Sequence, residues 1–493
     1  MQKIKKFALF TSIILLFSVI GASLPSFAAF SPNFDVYSEG VYMVNTDTDI
    51  VLMSKNADKK MYPASTTKIM TCLVSLANIK DFNAIVKVPY DCFNEFNEDN
   101  PNFIGPSGGG IDPLQDNLTY NDVLYSMMIA SACESANILA YNVGGGSIAN
   151  FVQMMNDTAA QIGCKNTHFS NPHGLFAEDN YSTPYDMYLI TKYAMDHYPA
   201  FMKICNTYSY DMPANKSNPS GYTLTHTNKM MQSTSSYYYE GVSGIKTGSI
   251  DKYYYKTEDG SWSWNNYEYG SRALVTSAQR NGYTYLIVTM GAPYCNDDGT
   301  ATETLYNFTD HINLYNWAFD EFEYTLVIGK NQQIMQADVE KGYESDRVGI
   351  VATEDYYTLL PKSLDISTIQ QIKPTLKPIE APVQKGMLVG KLELKLNGET
   401  LTKLKLVTER GIELDMAEYY KEKIGDIISM PQFIAIAVLL GVLIIMLAVT
   451  RLLRTQYYRA YAERNRRRKN IQMAPRQGTN RSGTNRTGTN RRR

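Results

Sequence analysis

No Cys-x-x-Cys and no His-x-x-x-His occurs in the 493 residues. The five histidines and six cysteines stand singly, which argues against the common zinc and dithiol frameworks, so neither a metal nor another cofactor is expected. Cys72, Cys92, Cys133, Cys164, Cys205 and Cys295 are read as mostly free thiols, with Cys72 and Cys164 in segments that look like core. Long apolar runs are also few. Only Phe7–Ala22 and Phe433–Val449 are long and free of charge. The formal net charge is −2, too balanced for a chain that is basic throughout.

That balance hides a strong asymmetry. The segment from Arg451 to Arg493 carries fourteen Lys/Arg against the single acid Glu463, and the first six residues add Lys3, Lys5 and Lys6, which leaves the body between them acidic. Lys3–Lys6, the apolar run to Ala22 and the small residues of Ser26-Phe27-Ala28 read as a signal peptide over 1–28, cleaved after Ala28. The second run reads as a transmembrane helix over 432–450. Its basic flank predicts a cytoplasmic tail over 451–493, with the acidic body on the extracellular side. Anionic lipid beside the tail supplies the complementary charge, so no nucleic-acid partner is expected. Three near-copies of Gly-Thr-Asn-Arg, from Gly478, Gly483 and Gly488, are too polar to build a core.

The body divides in two. Over 33–320 the pattern mixes strands and helices, an α/β (α+β) arrangement. Tyr42–Val44 and Val51–Met53 flank a polar turn and predict a hairpin. Thr119 and Asp122 form a capping box before a buried helix ending near Ala130, and Thr183-Pro184 starts another helix. Ser271–Thr276 and Thr284–Met290 read as paired strands that join the strand holding Lys246 in an antiparallel sheet. Over 324–415 short strands alternate with turns, and Asn397-Gly398 after an alternating run signals a hairpin, so a small β-sandwich is expected. Residues 416–431 read as a stalk.

One constellation carries chemistry. Ser65 and Lys68 stand three residues apart where a helix opens, so the amine and the hydroxyl share a face and the amine can take the hydroxyl proton. Backbone N–H groups at a helix start also suit a developing oxyanion. Far downstream, Lys246-Thr247-Gly248 follows Gly241-Val242-Ser243-Gly244-Ile245, a strand with positive charge, a hydroxyl for a carboxylate and a glycine that leaves its edge open to a peptide.

With these residues in view the chain resembles the low-molecular-mass penicillin-binding proteins, the serine-type D-alanyl-D-alanine carboxypeptidases. The resemblance covers about 33–415. It rests on Pro63-Ala64-Ser65-Thr66-Thr67-Lys68-Ile69-Met70-Thr71, Phe169-Ser170-Asn171-Pro172-His173-Gly174-Leu175, Tyr181-Ser182-Thr183, Gly244–Gly248, Ser277–Gly282 and Asn316–Phe319. It implies a transpeptidase/β-lactamase-like domain with an antiparallel sheet and a helical subdomain, then a small β-sandwich domain and one transmembrane helix. The implied activity is removal of the terminal D-alanine from peptidoglycan stem pentapeptides through an acyl-enzyme, with β-lactams as covalent inhibitors. Rival activities are an endopeptidase using the same residues, or a penicillin- or peptidoglycan-binding receptor without turnover. By the resemblance Ser65 is the nucleophile, Lys68 its base and Ser131 the second serine. Cys133, Lys246, Thr247, Gly248 and Ser249 would contact substrate, and the N–H groups of Ser65 and Ser249 would form the oxyanion hole.

Two departures stand out. The family pattern is Ser-x-Asn, whereas this chain reads Ser131-Ala132-Cys133, and a thiol cannot make an amide's paired contacts to the lysine and the substrate carbonyl. Ser135-Ala136-Asn137 restores the pattern on paper but lies a helical turn further on, so Ser131 is expected in the site. The segment between Lys246 and Ser277 is longer than the family's and rich in aromatics, including Tyr253, Trp262 and Trp264, which are expected to pack on their own hairpin. His173 is read as a structural residue bonding backbone near the site.

Overall fold

The structure, a computed structural model, describes residues 30–96, 107–256, 262–296 and 302–472, with backbone alone over 251–256, 262–269 and 470–472. The expected signal peptide over 1–28, the Gly-Thr-Asn-Arg repeats and the aromatic side chains of the long hairpin lie outside the described residues. The chain forms two compact units. One comprises Met1–Met335, Val351–Thr375 and Leu388–Val407, the other Gln336–Ile350, Leu376–Met387 and Thr408–Arg493.

The first unit is organised by strands β1 (Gly40–Asn45) and β2 (Ile50–Lys55), a small pair β3 (Ser209–Met212) and β4 (Tyr222–Thr225), and β5 (Val242–Lys256), β6 (Trp262–Arg280) and β7 (Tyr283–Pro293). Five of these make one sheet in the order β2-β1-β7-β6-β5, and the pairings are antiparallel as expected. Every residue of β1 is buried. Such a strand needs cover on both faces, and its apolar side chains are accordingly continuous rather than alternating. The β6–β7 turn uses Asn281 (φ +55°) and Gly282 (φ +85°), the two left-handed residues that a tight hairpin requires. Backbone pairing of β5 with β6 continues past the site, from Lys252 opposite Asn266 to Lys256 opposite Trp262, so the extra length is a hairpin extension.

Helices pack on this sheet. Lys68–Asn78 is buried at every position from Lys68 to Leu76, which makes it the central rod of the helical subdomain. Tyr120–Ile129 begins with the expected capping box, Thr119 and Asp122 bonding each other's backbone. After a short turn at Ala130–Ala132 the chain enters Cys133–Val143. Pro184–His197 starts with Thr183 as cap and proline at its first turn.

Beyond Phe322 the chain is β-rich. In the first unit Phe322–Ile328 pairs with Tyr356–Pro361, and Leu388–Leu396 pairs with both Gln370–Ile372 and Glu399–Thr408. The last hairpin turns at Asn397 (φ +50°) and Gly398 (φ +89°). In the second unit Ile379–Glu380 runs parallel to Val339–Glu340. Lys341 there joins Glu380 at 2.7 Å and Glu422 at 2.6 Å, the latter from the helix Met416–Ser429. Pro431–Gln472 follows as one 42-residue helix, and among the described residues it is the one helix long and apolar enough to cross a membrane. At 1.5 Å per residue it is about 63 Å long, roughly twice a bilayer's apolar thickness. The apolar run and the first half of the basic segment thus share one helix, which the polarity of the tail did not announce.

Candidate active site

Ser65 lies in a 3₁₀ turn, Ala64–Thr67, that runs straight into the Lys68–Asn78 helix. Ala64 takes a φ of +49°, a strained value for a residue with a side chain, and the turn is held by close neighbours. Gly248 on the edge strand β5 approaches so closely that a Cβ there would lie 3.1 Å from Ala64 Cβ. The glycine of Lys246-Thr247-Gly248 therefore lets the strand edge and the serine turn meet.

Lys68 Nζ donates to Ser65 Oγ at 2.9 Å, to the carbonyl of His173 at 2.6 Å and to Cys133 Sγ at 3.5 Å. Its side chain is fully buried. Burial pushes its pKa below the ordinary lysine value, only partly offset by the nearby Cys133 and Glu134. A lysine held this way reaches the neutral, proton-accepting form more readily than one in water. Lys246 is also fully buried, and burial with the charge of Lys68 drives its pKa well down. Its Nζ donates to the carbonyl of Thr247 at 2.9 Å.

A cleft of about 410 Å³ opens in front of these groups. Ser65, Ser131, Thr247, Gly248 and Ser249 line it, with Leu175, Leu305 and Phe308 as apolar wall. Lys68, Cys133 and Lys246 stand behind that lining. Cys133 Sγ, fully buried, touches Lys68 and Ser107, and Lys246 is likewise fully buried.

Ser131 occupies the turn between two helices with a φ of +64°, which turns it out of helical register and onto the cleft wall. Ser135 and Asn137 go elsewhere. Ser135 Oγ donates to Ser126 Oγ at 2.8 Å, and the Asn137 amide donates to the Cys92 carbonyl and to Glu95. His173 is structural, as expected. Its Nδ1 accepts from the Leu175 N–H, which puts the proton on Nε2 facing Glu95 Oε1 at 3.1 Å, and burial holds its pKa below the usual histidine value.

Three residues in this neighbourhood escaped the sequence reading. Ser107 lines the cleft and donates to the Ser131 carbonyl at 2.5 Å. Glu134, almost wholly buried, accepts from the Gly109 N–H at 2.5 Å, and burial raises its pKa. Arg272 lines the cleft from β6, opposite Ser249 in the ladder, and donates to the Pro293 carbonyl at 2.9 Å. An arginine inside the strand Ser271–Thr276 was the available signal for it. For Ser107 the adjoining Gly108-Gly109-Gly110 hinted only at close backbone approach.

Comparison with known proteins gives concordant results. The family model for D-alanyl-D-alanine carboxypeptidase matches residues 27–256, and that for the penicillin-binding protein 5 C-terminal domain matches 322–414. The chain is 31% identical over 250 residues to a D-alanyl-D-alanine carboxypeptidase of Streptomyces sp. (strain K15), covering 48% of this chain and 80% of that one. It is 26% identical over 391 residues to the D-alanyl-D-alanine carboxypeptidase DacF of Bacillus subtilis (strain 168), 79% of this chain and 90% of the relative. In fold it is similar to the D-alanyl-D-alanine carboxypeptidase DacD of Francisella tularensis, with TM-score 0.56, 18% identity and coverage of 78% and 95%. Penicillin-binding protein 5 of Haemophilus influenzae gives TM-score 0.51 at 22% identity, with coverage of 78% and 100%.

Proposed function

The chain belongs to the D-alanyl-D-alanine carboxypeptidase family of serine peptidases, and from that premise we propose that it removes the terminal D-alanine of peptidoglycan stem peptides through an acyl-enzyme on Ser65. The observation that carries this is the 2.9 Å bond between Lys68 Nζ and Ser65 Oγ at a lysine without solvent exposure.

In the acylation step neutral Lys68 takes the Ser65 proton as Oγ attacks the carbonyl of the penultimate D-alanine. Negative charge gathers on the carbonyl oxygen, and the N–H groups of Ser65 and Ser249 receive it; one such donor is typically worth about 10²–10³ in rate. Ser131 passes the proton from Lys68 to the departing amine. The terminal carboxylate meets the Thr247 hydroxyl and the Arg272 guanidinium, with the Lys246 amine behind them. D-alanine leaves with that proton; water then attacks the acyl-enzyme with Lys68 again as base, and the shortened peptide is released. A β-lactam carbonyl enters by the same route and, retaining its own leaving group, is slow to depart.

The apolar Pro431–Gln472 helix supports a membrane anchor. The charge on either side of it favours a single pass with the catalytic unit outside the cell and the basic part of the helix against anionic lipid on the cytoplasmic side. The test of the activity is release of free D-alanine from a stem pentapeptide by the purified full-length protein in detergent. Cleavage of cross-linked dimers without D-alanine release would move the activity to an endopeptidase, and acylation without either product would make the protein a receptor.

A further inference from the structure

The sequence places a thiol where the resembling family has an amide, and a thiol alone cannot serve both the lysine and the substrate. Cys133 Sγ reaches Lys68 Nζ at 3.5 Å but is fully buried and does not line the cleft. On its far side stands Ser107 Oγ, at 3.6 Å, and Ser107 does line the cleft. The two residues are also locked by backbone. The Cys133 N–H donates to the Ser107 carbonyl at 2.8 Å, while Ser107 Oγ donates to the Ser131 carbonyl at 2.5 Å.

These contacts fix the direction of the proton chain. A hydroxyl has one proton, and that of Ser107 goes to the Ser131 carbonyl, so between Cys133 and Ser107 the thiol must donate. Lys68 therefore donates to sulfur, sulfur to the Ser107 oxygen, and that oxygen to Ser131. The buried end of the chain holds the lysine, as one half of an amide would. The Ser107 hydroxyl, at the cleft end, can rotate its single proton from the Ser131 carbonyl to the carbonyl of a bound peptide while its oxygen still accepts from sulfur.

We propose that Ser107 and Cys133 act as a split substitute for one amide side chain, with Cys133 positioning Lys68 and Ser107 donating the cleft-side hydrogen bond to the carbonyl of the acyl-donor peptide. The Ser107 segment is built to hold this position. Glu134 accepts from the Gly109 N–H, Tyr222 Oη donates to the Gly109 carbonyl at 2.7 Å, and a Cβ on Gly109 would fall 2.1 Å from Ser126 Oγ. A loop so tied holds its serine beside Ser131 at the cleft wall.

The inference rests on the carboxypeptidase reading, and a double-mutant cycle separates the two. D-alanine release and the acylation rate by a fluorescent penicillin are measured on full-length wild type, Ser107→Val, Cys133→Asn and the double variant, with Ser107→Thr as a hydroxyl-retaining control and thermal melting on all. Ser107→Val should lower kcat/KM for the peptide by about tenfold, the factor expected from one lost hydrogen bond, and Ser107→Thr should restore most of it. In the Cys133→Asn background, where the amide supplies the missing contact, the same Ser107→Val change should cost little. An equal loss in both backgrounds, or Val and Thr variants of equal activity, overturns the split-amide proposal and leaves the carboxypeptidase reading intact. A wild-type protein that neither releases D-alanine nor is acylated overturns both.

Discussion

A methyl group added to Gly174 would lie 1.9 Å from the carbonyl oxygen of Ala64, the residue that precedes the serine of the site. Gly174 also has a φ of +79°, so both space and backbone demand glycine there. The loop that supplies the lysine's acceptor carbonyl, His173, thus also presses on the turn that aims Ser65. Gly174→Ala is expected to lose stability by about 2 kcal/mol or more and to lose acylation out of proportion to that, because the serine turn must shift to admit the methyl. Melting temperature together with the penicillin acylation rate checks both parts.

Cys133→Asn should raise turnover on a D-Ala-D-Ala peptide by about tenfold, since an amide supplies donor and acceptor together where the thiol supplies weak versions of each. Cys133→Ala removes one of the three acceptors around Lys68 Nζ and should lower it. Steady-state D-alanine release by the two variants, compared with wild type, gives the signs. A rise with alanine would mean that sulfur hinders rather than holds the lysine.

The pH dependence follows from Lys68. Burial lowers its pKa below 10.5, the neutral amine is the active base, and acylation should therefore rise with pH through that lowered value. Glu134 is the carboxylate among the groups that hold the Lys68 pKa up. Glu134→Gln removes that charge while keeping an acceptor for the Gly109 N–H, so the ammonium is less favoured and the acid limb of the acylation profile should move to lower pH. A limb that moves upward or stays in place would remove Glu134 from the electrostatics of the lysine.

Topology has its own check. Protease added to wall-less cells should release a soluble, active fragment ending before about residue 430, with the Arg-rich segment after Arg451 protected. Loss of the Arg-rich segment from outside would reverse the orientation.

Much of this was legible in the chain because it is local. The capping box at Thr119 and Asp122, the turns at Asn281-Gly282 and Asn397-Gly398 and the spacing of Ser65 and Lys68 all obey rules that act over a few residues. What stayed hidden is long-range or depends on direction. Ser107 meets Ser131 across 24 residues, and Arg272 reaches the cleft only because β6 sets it opposite Ser249. Cys133 could be identified as a departure from sequence, but not that its side chain turns to the buried side of the wall while Ser131 turns to the open side. The helical run through the basic segment to Gln472 is likewise a matter of continuity with the apolar helix rather than of its own composition.

The central claim is that Ser65 is the acylated residue, and intact-mass analysis with peptide mapping after exposure to a penicillin tests it most directly. The account predicts one adduct, on the peptide carrying Ser65, and none on Ser65→Ala, whose D-alanine release should fall by at least about 10³, as expected when the nucleophile is removed. An adduct that persists on the Ala variant, or that maps to Ser131 or Ser107, would contradict it.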